Sequence, residues 1–222
     1  MMLEVSNLKK TFFQGTNELP ILKGVDLSLA EGKTLAILGQ SGSGKSTLLS
    51  LLAGLDRPNS GSVKVDGVDL STLDERALAK FRSERIGIVF QQFHLMSTLT
   101  AMENVSLPLE ILSVPNALEL AKEALIKTGL GHRLHHFPYQ LSGGECQRVA
   151  IARAFLPQPK MILADEPSGS LDTKTGREVL ELLFSQVTST NMTLVLVTHN
   201  EKLAEKCDSQ MELVDGILKL LS

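Results

Sequence analysis

An α/β fold built on a parallel sheet is predicted by three observations. Four short runs, Leu35–Leu38, Ile86–Phe90, Met161–Ala164 and Leu194–Val197, are almost wholly apolar. The last three are followed at once by polar residues, Gln91, Asp165-Glu166 and Thr198-His199. Segments with the apolar spacing of helices alternate with them. Strands that read as continuous apolar runs are buried on both faces, which is the condition of parallel strands covered by helices. In open α/β sheets the carboxyl ends of the strands border the ligand crevice, so these polar residues are expected at one mouth.

The opening third of the chain is strand-rich. Leu27 to Leu38 holds two apolar runs around Glu31-Gly32, and Ser62 to Val68 carries Asp66-Gly67, a tight-hairpin signal. A second hairpin is expected at Asp215-Gly216, between Met211–Val214 and Ile217–Leu221. The middle is helical: Asp74–Glu84 and Asn116–Lys127 have the spacing of surface helices, the second opening on a capping residue and closing near Gly129. No repeat, low-complexity segment or linker divides the sequence. The expected organisation is therefore one domain over 1–222. It has an antiparallel β portion near the N-terminus and a helical insertion over about 93–140 in the α/β core.

The 222 residues carry 22 Lys+Arg and 25 Asp+Glu, a net charge of −3, with 43% hydrophobic and 21% charged residues. That composition excludes a disordered chain, and this length buries about 70% of the unfolded surface without disulfides or a structural metal. No apolar run approaches the roughly 20 residues needed to cross a bilayer. The first residues lack the pattern of a signal peptide and the two cysteines make no disulfide framework, so a cytoplasmic location is expected. The triplets Asn104-Val105-Ser106 and Asn191-Met192-Thr193 are accordingly read as accidental matches to glycosylation sites. The slightly acidic balance argues against a broad basic face, and no nucleic-acid partner is expected.

Gly39-Gln40-Ser41-Gly42-Ser43-Gly44-Lys45-Ser46 fits the phosphate-loop pattern G-x-x-x-x-G-K-[ST], between a predicted strand and a helix beginning near Thr47. Glycines let the backbone fold round a polyphosphate so that its N–H groups and the positive end of the helix face the anion. Lys45 is expected on the β and γ phosphates and Ser46 on Mg²⁺, which takes oxygen ligands. A nucleotide hydrolase also needs a metal-positioning carboxylate and a group that deprotonates water. Asp165 is the candidate for the first and Glu166 for the second. Leu141-Ser142-Gly143-Gly144-Glu145 precedes a helix expected from Cys146 towards Phe155, and a hydroxyl with two glycines there is a second anion-binding device. One nucleotide does not need two such devices, so the second is read as meeting the γ-phosphate held by another copy of the chain.

In that order, the phosphate loop, Gln91, Leu141-Ser142-Gly143-Gly144-Glu145, Asp165-Glu166, Ser170-Leu171-Asp172 and His199 resemble the ATP-binding subunits of ABC transporters over essentially the whole chain. Gly54-Leu55-Asp56-Arg57-Pro58, Leu99 to Val105 and Ala164 to Asp172 look most like the lipoprotein-releasing and macrolide-efflux group. The resemblance implies a RecA-like P-loop NTPase core and an ATPase that dimerises head to tail around two ATP molecules. It implies integral membrane permease subunits as partners, on the cytoplasmic face of the membrane, with residues 91–105 as the contact surface. It also implies that Ser142, Gly143 and Gly144 act in trans and that Asp172 lies near the opposite phosphate loop. Gln91 would contact Mg²⁺ or the attacking water, and His199 the γ-phosphate. Gln40, Ser41, Ser43 and Thr47 complete the expected ATP-binding set.

Where relatives carry an aromatic that stacks on adenine, this chain has Lys10-Thr11-Phe12-Phe13. Phe12 is the candidate and Phe13 its neighbour, against the alternative of an aromatic in the first strand's core. Cys146 stands where relatives carry Gln or Arg, and is either a small buried residue or an exposed thiol. His132, His135 and His136 lack companions at metal-ligand spacing and read as a solvated loop. Met96 and Met102 either face a groove for a partner helix or fill core. A DNA-repair or chromosome-organising ATPase would insert a long coiled coil between phosphate loop and signature, and that interval here is short without sustained heptads. A translation-associated relative would carry two ATPase halves. A soluble regulator without a membrane partner remains open.

Overall fold

A computed structural model describes residues 1–15 and 17–221. Its elements begin with β1 (Leu3–Gln14), β2 (Asn17–Leu29), β3 (Thr34–Leu38), α1 (Lys45–Leu52), β4 (Ser60–Val65), β5 (Val68–Asp69) and α2 (Glu75–Arg85). They continue with β6 (Ile86–Val89), α3 (Ala101–Ile111), α4 (Ala117–Lys127), α5 (Gly143–Phe155), β7 (Met161–Asp165) and α6 (Thr173–Thr190). The chain closes with β8 (Thr193–Val197), α7 (Glu201–Ala204), β9 (Ser209–Val214) and β10 (Ile217–Leu220). Two compact units result, residues 1–82 with 192–222, and residues 83–191.

In the first unit an antiparallel sheet has the order β2-β1-β4-β5. Its buried face is made by Leu3, Val5, Leu8, Leu22, Val25, Val63 and Val65, with register shifts between β1 and β2 that interrupt strict alternation. Asp66 and Gly67 join β4 to β5 with φ of 52° and 77°, the positive pair that a two-residue hairpin turn requires. The two apolar runs around Glu31-Gly32 fall in different sheets, because β2 ends at Leu29 and β3 pairs parallel with β8 and β9. Leu35, Ala36, Ile37 and Leu194–Val197 are buried, as strands covered on both faces must be. The Asp208 carboxylate accepts from the Thr34 N–H at 2.8 Å and hydroxyl at 2.9 Å, which pins the starts of β3 and β9 together. β9 returns as β10 through Asp215-Gly216, as the sequence predicts.

In the second unit β6 and β7 pair parallel, Ile86 opposite Met161 and Val89 opposite Ala164. Helices α3, α4 and α5 enclose a core of Val105, Ala121, Leu125, Leu130 and Val149. Asn104 lies in α3, fully buried; its side chain accepts from the Met96 N–H and donates to the carbonyls of Met96, Leu99 and Thr100. The amide that heads the Asn104 triplet is therefore structural. Helix α6 buries Val179, Leu183 and Val187, one side chain per turn. Among the described residues no helix is long and apolar enough to cross a membrane.

Two helix starts in the second unit differ from expectation. Asn116 precedes α4 but has φ of 59°, and in this left-handed conformation its side chain caps nothing. Helix α5 begins at Gly143, three residues before Cys146, because Ser142 and Glu145 form a capping box. The Ser142 hydroxyl accepts from the Glu145 N–H at 3.3 Å, and the Glu145 carboxylate accepts from the Ser142 N–H at 2.8 Å and from Arg133 Nε at 2.8 Å. Burial works to raise the Glu145 pKa, but the hydrogen bonds from Ser142 and Arg133 outweigh it and bring the carboxyl down to about 2.

Glu145→Ala should lower the unfolding free energy by about 1–2 kcal/mol at neutral pH. The folded pKa is depressed, so the carboxylate's contribution is complete above its ordinary value of 4.5 and is lost as pH falls towards about 2. In urea unfolding series the gap between parent and variant should close over that window. A gap independent of pH would mean that the carboxylate charge contributes nothing.

Candidate nucleotide site

Two sets of candidate residues belong to two units: Phe12, Gly39–Thr47 and His199 to the first, and Gln91, Ser142–Gly144, Asp165, Glu166 and Asp172 to the second. In the first, the chain leaves β3 at Leu38 and enters α1 at Lys45, two residues earlier than expected. Gly44 stands at the N-cap with φ of 100°, and no side chain caps the helix. A β-carbon on Gly44 would lie 2.7 Å from Ile21 Cγ2, and one on Gly39 2.6 Å from the Leu213 carbonyl oxygen. Only glycine lets the loop lie this close to β2 and β9. Lys45 is buried, and its ammonium donates to the Gly39 and Gln40 carbonyls at 2.8 Å each, inside the curve of the loop.

Gln40, Ser41, Gly42 and Ser46 are exposed, and Ser43 and Thr47 are half-buried. Ser43 Oγ is buried and, among the described residues, without a hydrogen-bond partner. An orphaned hydroxyl beside uncapped helix N–H groups suits a ligand that brings its own acceptor oxygens. A cleft of about 470 Å³ opens beside the loop, lined by Lys23, Gln40–Ser43 and Glu212–Gly216 among others. His199 is exposed just beyond β8, after Thr198, whose N–H bonds to the Ile37 carbonyl at 3.1 Å.

Phe12 is 43% exposed and Phe13 65%, which decides against a core role for either. The Lys10 ammonium lies 5.0 Å from the centroid of the Phe12 ring and is itself fixed by Asp56 Oδ1 and the Arg57 carbonyl, both at 2.7 Å. One face of the ring is thereby held against a cation.

In the second unit Gln91 is exposed two residues after β6 ends. Its carbonyl accepts from the Ser170 hydroxyl at 3.0 Å, and a β-carbon on Gly169 would stand 2.8 Å from its side-chain nitrogen. Asp165 closes β7 and Glu166 follows with φ of 45°, both half-buried. A non-glycine residue in this region costs about 1–3 kcal/mol and persists where its surroundings fix it. Here the Glu166 carbonyl accepts from the Gly169 N–H at 2.9 Å.

The signature glycines pack against the start of α6. A β-carbon on Gly143 would lie 3.1 Å from Leu171 Cδ2, and one on Gly144 would strike the Thr175 methyl. The structure thus brings Ser142–Gly144 beside the stretch that holds Asp172. Asp172 is exposed and caps α6; hydrogen bonds from the Thr175 side chain and N–H, and then from Lys174, hold its carboxyl below the usual range.

Cys146 is buried, its Sγ 3.5 Å from the Pro138 carbonyl, and burial raises its pKa, so it is a small packed residue and not an exposed thiol. His132 Nε2 lies 4.0 Å from Glu145 Oε1, and His136 Nε2 lies 3.2 Å from an Arg133 nitrogen. Met102 packs on the helical core and Met96 is 48% exposed, so the two part ways. Sequence reading passed over Gln147 and Arg153. The sequence signal they offer is the placing of long polar side chains in α5, Arg153 among the apolar residues Val149 to Phe155 and Gln147 just ahead of them.

The family model "ABC transporter" matches residues 22–169. The lipoprotein-releasing system ATP-binding protein LolD of Geobacter metallireducens is 51% identical over 217 residues, 97% of this chain and 96% of that one. The ABC transporter ATP-binding protein YbbA of Escherichia coli is 50% identical over 220 residues, 98% of this chain and 96% of that one. Among solved structures, the ATP-binding cassette MJ0796, a dimer in a post-hydrolysis state with ADP and Pi, superposes with a TM-score of 0.91. It is 39% identical, with 100% of this chain and 99% of that one covered. With a phosphate loop between β3 and α1 and relatives that match along the whole length, the chain belongs to the ABC transporter family and is an ATP-binding subunit, an ATPase with the P-loop NTPase fold.

Proposed function

We propose that this chain drives lipoprotein release at the cytoplasmic face of a membrane, by closing with a second copy around two ATP molecules and passing that closure to membrane subunits. The observation that carries the cargo class is the near full-length identity of 51% with a lipoprotein-releasing ATP-binding protein. In each site the backbone N–H groups of Gly39–Gly44 and the ammonium of Lys45 hold the β and γ phosphates, with Gln40, Ser41, Ser43 and Thr47 beside them. Phe12 offers its free face to the adenine. Ser142, Gly143 and Gly144 of the other copy close on the γ-phosphate, and Asp172 reaches across near the opposite phosphate loop. The packing of Gly143 and Gly144 on Leu171 and Thr175 supports the two acting as one surface.

The hydroxyl of Ser46, the amide oxygen of Gln91 and the carboxylate of Asp165 are hard oxygen donors and suit Mg²⁺. Mg²⁺ held by such donors would neutralise charge on the phosphate oxygens. Glu166 accepts the proton of the attacking water, held by its strained backbone at the end of β7. His199 donates to the γ-phosphate as charge develops on it. Residues 93–140 form the helical insertion within a single ATP-binding domain, and residues 91–105 form the contact with the permease.

Glu166→Gln should bind ATP with parental affinity and accumulate as an ATP-bound dimer, while turnover falls by about 10²–10⁴-fold. Sedimentation with and without ATP, alongside a phosphate-release assay, checks both; hydrolysis at the parental rate removes Glu166 as the base. Affinity capture of tagged Glu166→Gln from gently solubilised cells with Mg-ATP, followed by mass spectrometry, tests the transport reading. A membrane protein with few spans and a large extracytoplasmic domain should be retained. Recovery of that partner together with a macrolide-efflux duct would move the cargo to macrolides, and recovery of soluble protein alone would sink the transport reading.

A further inference from the structure

Gln91 is followed by a segment that its own sequence does not stabilise. Phe93 and His94 have φ of 60° and 48°, a region that residues with a β-carbon disfavour, and two in succession persist only where the surroundings over-determine them. Those surroundings are α5. Arg153 donates from one terminal nitrogen to the His94 carbonyl at 2.6 Å and from the other to the Phe93 carbonyl at 2.8 Å. A planar guanidinium presents such a fork, and an ammonium does not. Gln147, fully buried on the same helix, donates its Nε2 to the Phe90 carbonyl at 3.3 Å. The rings of Phe90 and His94 stack with centroids 4.4 Å apart and close the segment on itself.

Packing does not explain Gln147. Its Oε1 is buried and, among the described residues, has no hydrogen-bond partner. A half-paired buried amide is a net cost to stability that an apolar side chain of similar size avoids. Among the described residues, the side-chain hydrogen bond that Gln147 makes is to the backbone one residue before Gln91.

We infer that Gln147 and Arg153 are positioning residues that tie Gln91 to the helix headed by Ser142, Gly143 and Gly144. A displacement of α5 is then passed to Gln91 through the carbonyls of Phe90, Phe93 and His94, without either side chain touching nucleotide. The inference rests on the roles proposed above for Gln91 and for the signature residues. Helix α5 has 13 residues, a rod of about 20 Å, with the signature at one end and Arg153 near the other.

The experiment compares the parent with Gln147→Leu, Arg153→Met and Arg153→Lys by steady-state ATPase kinetics, thermal unfolding and amide hydrogen exchange. Gln147→Leu should unfold at or above the parental temperature, because the orphaned acceptor is gone. Its kcat should nevertheless fall by about threefold to thirtyfold with KM for ATP within about twofold, the range expected for loss of coupling. Arg153→Met should do the same to kcat, and Arg153→Lys should recover only part of it. Exchange of the amides of residues 91–96 should quicken in Gln147→Leu and Arg153→Met while the rest of α5 stays protected, a readout that needs no turnover. Unchanged exchange overturns the inference, and so does faster exchange with parental kcat. A parent that hydrolyses no ATP counts against the proposed function, and the exchange data then decide on the tie alone.

Discussion

Parallel pairing of strands that are buried on both faces is the constraint from which the rest of this molecule follows. A parallel ladder forces each strand to end on the same side as its neighbour. In the first unit β3 and β8 therefore deliver Gly39 and His199 to one edge, and in the second β6 and β7 deliver Gln91 and Asp165 to one edge. The apolar runs are short and uniform because they have no solvent face to signal, and the residue that follows each is the first free to be polar. Chemistry accumulates at those positions because the strands leave it nowhere else to go.

The helix starts divide into two kinds. Thr100, Ser142, Asp172 and Asn200 each cap a helix with their own side chain, so those N–H groups are partly satisfied within the fold. Gly44 has no side chain to offer, and the first turn of α1 keeps its donors for an external acceptor. The same backbone property serves stability at those four helices and, through Asp74, at α2, whereas α1 and α4 start uncapped and only α1 follows a phosphate loop. Ser142 stands between the two uses: its oxygen is engaged with the Glu145 N–H, while the helix it heads begins with Gly143, which is exposed, and Gly144, which is buried against Thr175.

Most of this was legible in the sequence where the determinants are local. The phosphate loop needs residues within an eight-residue window, and both Asp-Gly hairpins are fixed by two residues of positive φ. The direction of Phe12 was not legible, because β1 carries register shifts between Val5 and Thr11 that break the alternation a regular strand would show. Helix α5 starts earlier than the sequence suggests because Ser142 and Glu145 cap it through each other, a pairing that the anion-binding pattern of Ser142 and its two glycines masks. The failure of Asn116 to cap follows from its backbone conformation, which a propensity does not encode. The roles of Gln147 and Arg153 are not legible for a different reason: their partners lie 57 to 60 residues away, and nothing in a helix sequence names a carbonyl on a distant loop.

The cation fixed beneath Phe12 leaves the ring with a single usable face. Stacking on such a surface reads the breadth and polarisability of a base and is blind to its exocyclic groups, since a phenyl ring has neither donor nor acceptor to set against them. An aromatic platform of this kind grips a guanine as readily as an adenine. In the stacking role proposed for Phe12, any preference between purine triphosphates resides in polar groups around the base edge, and the ring contributes grip without discrimination.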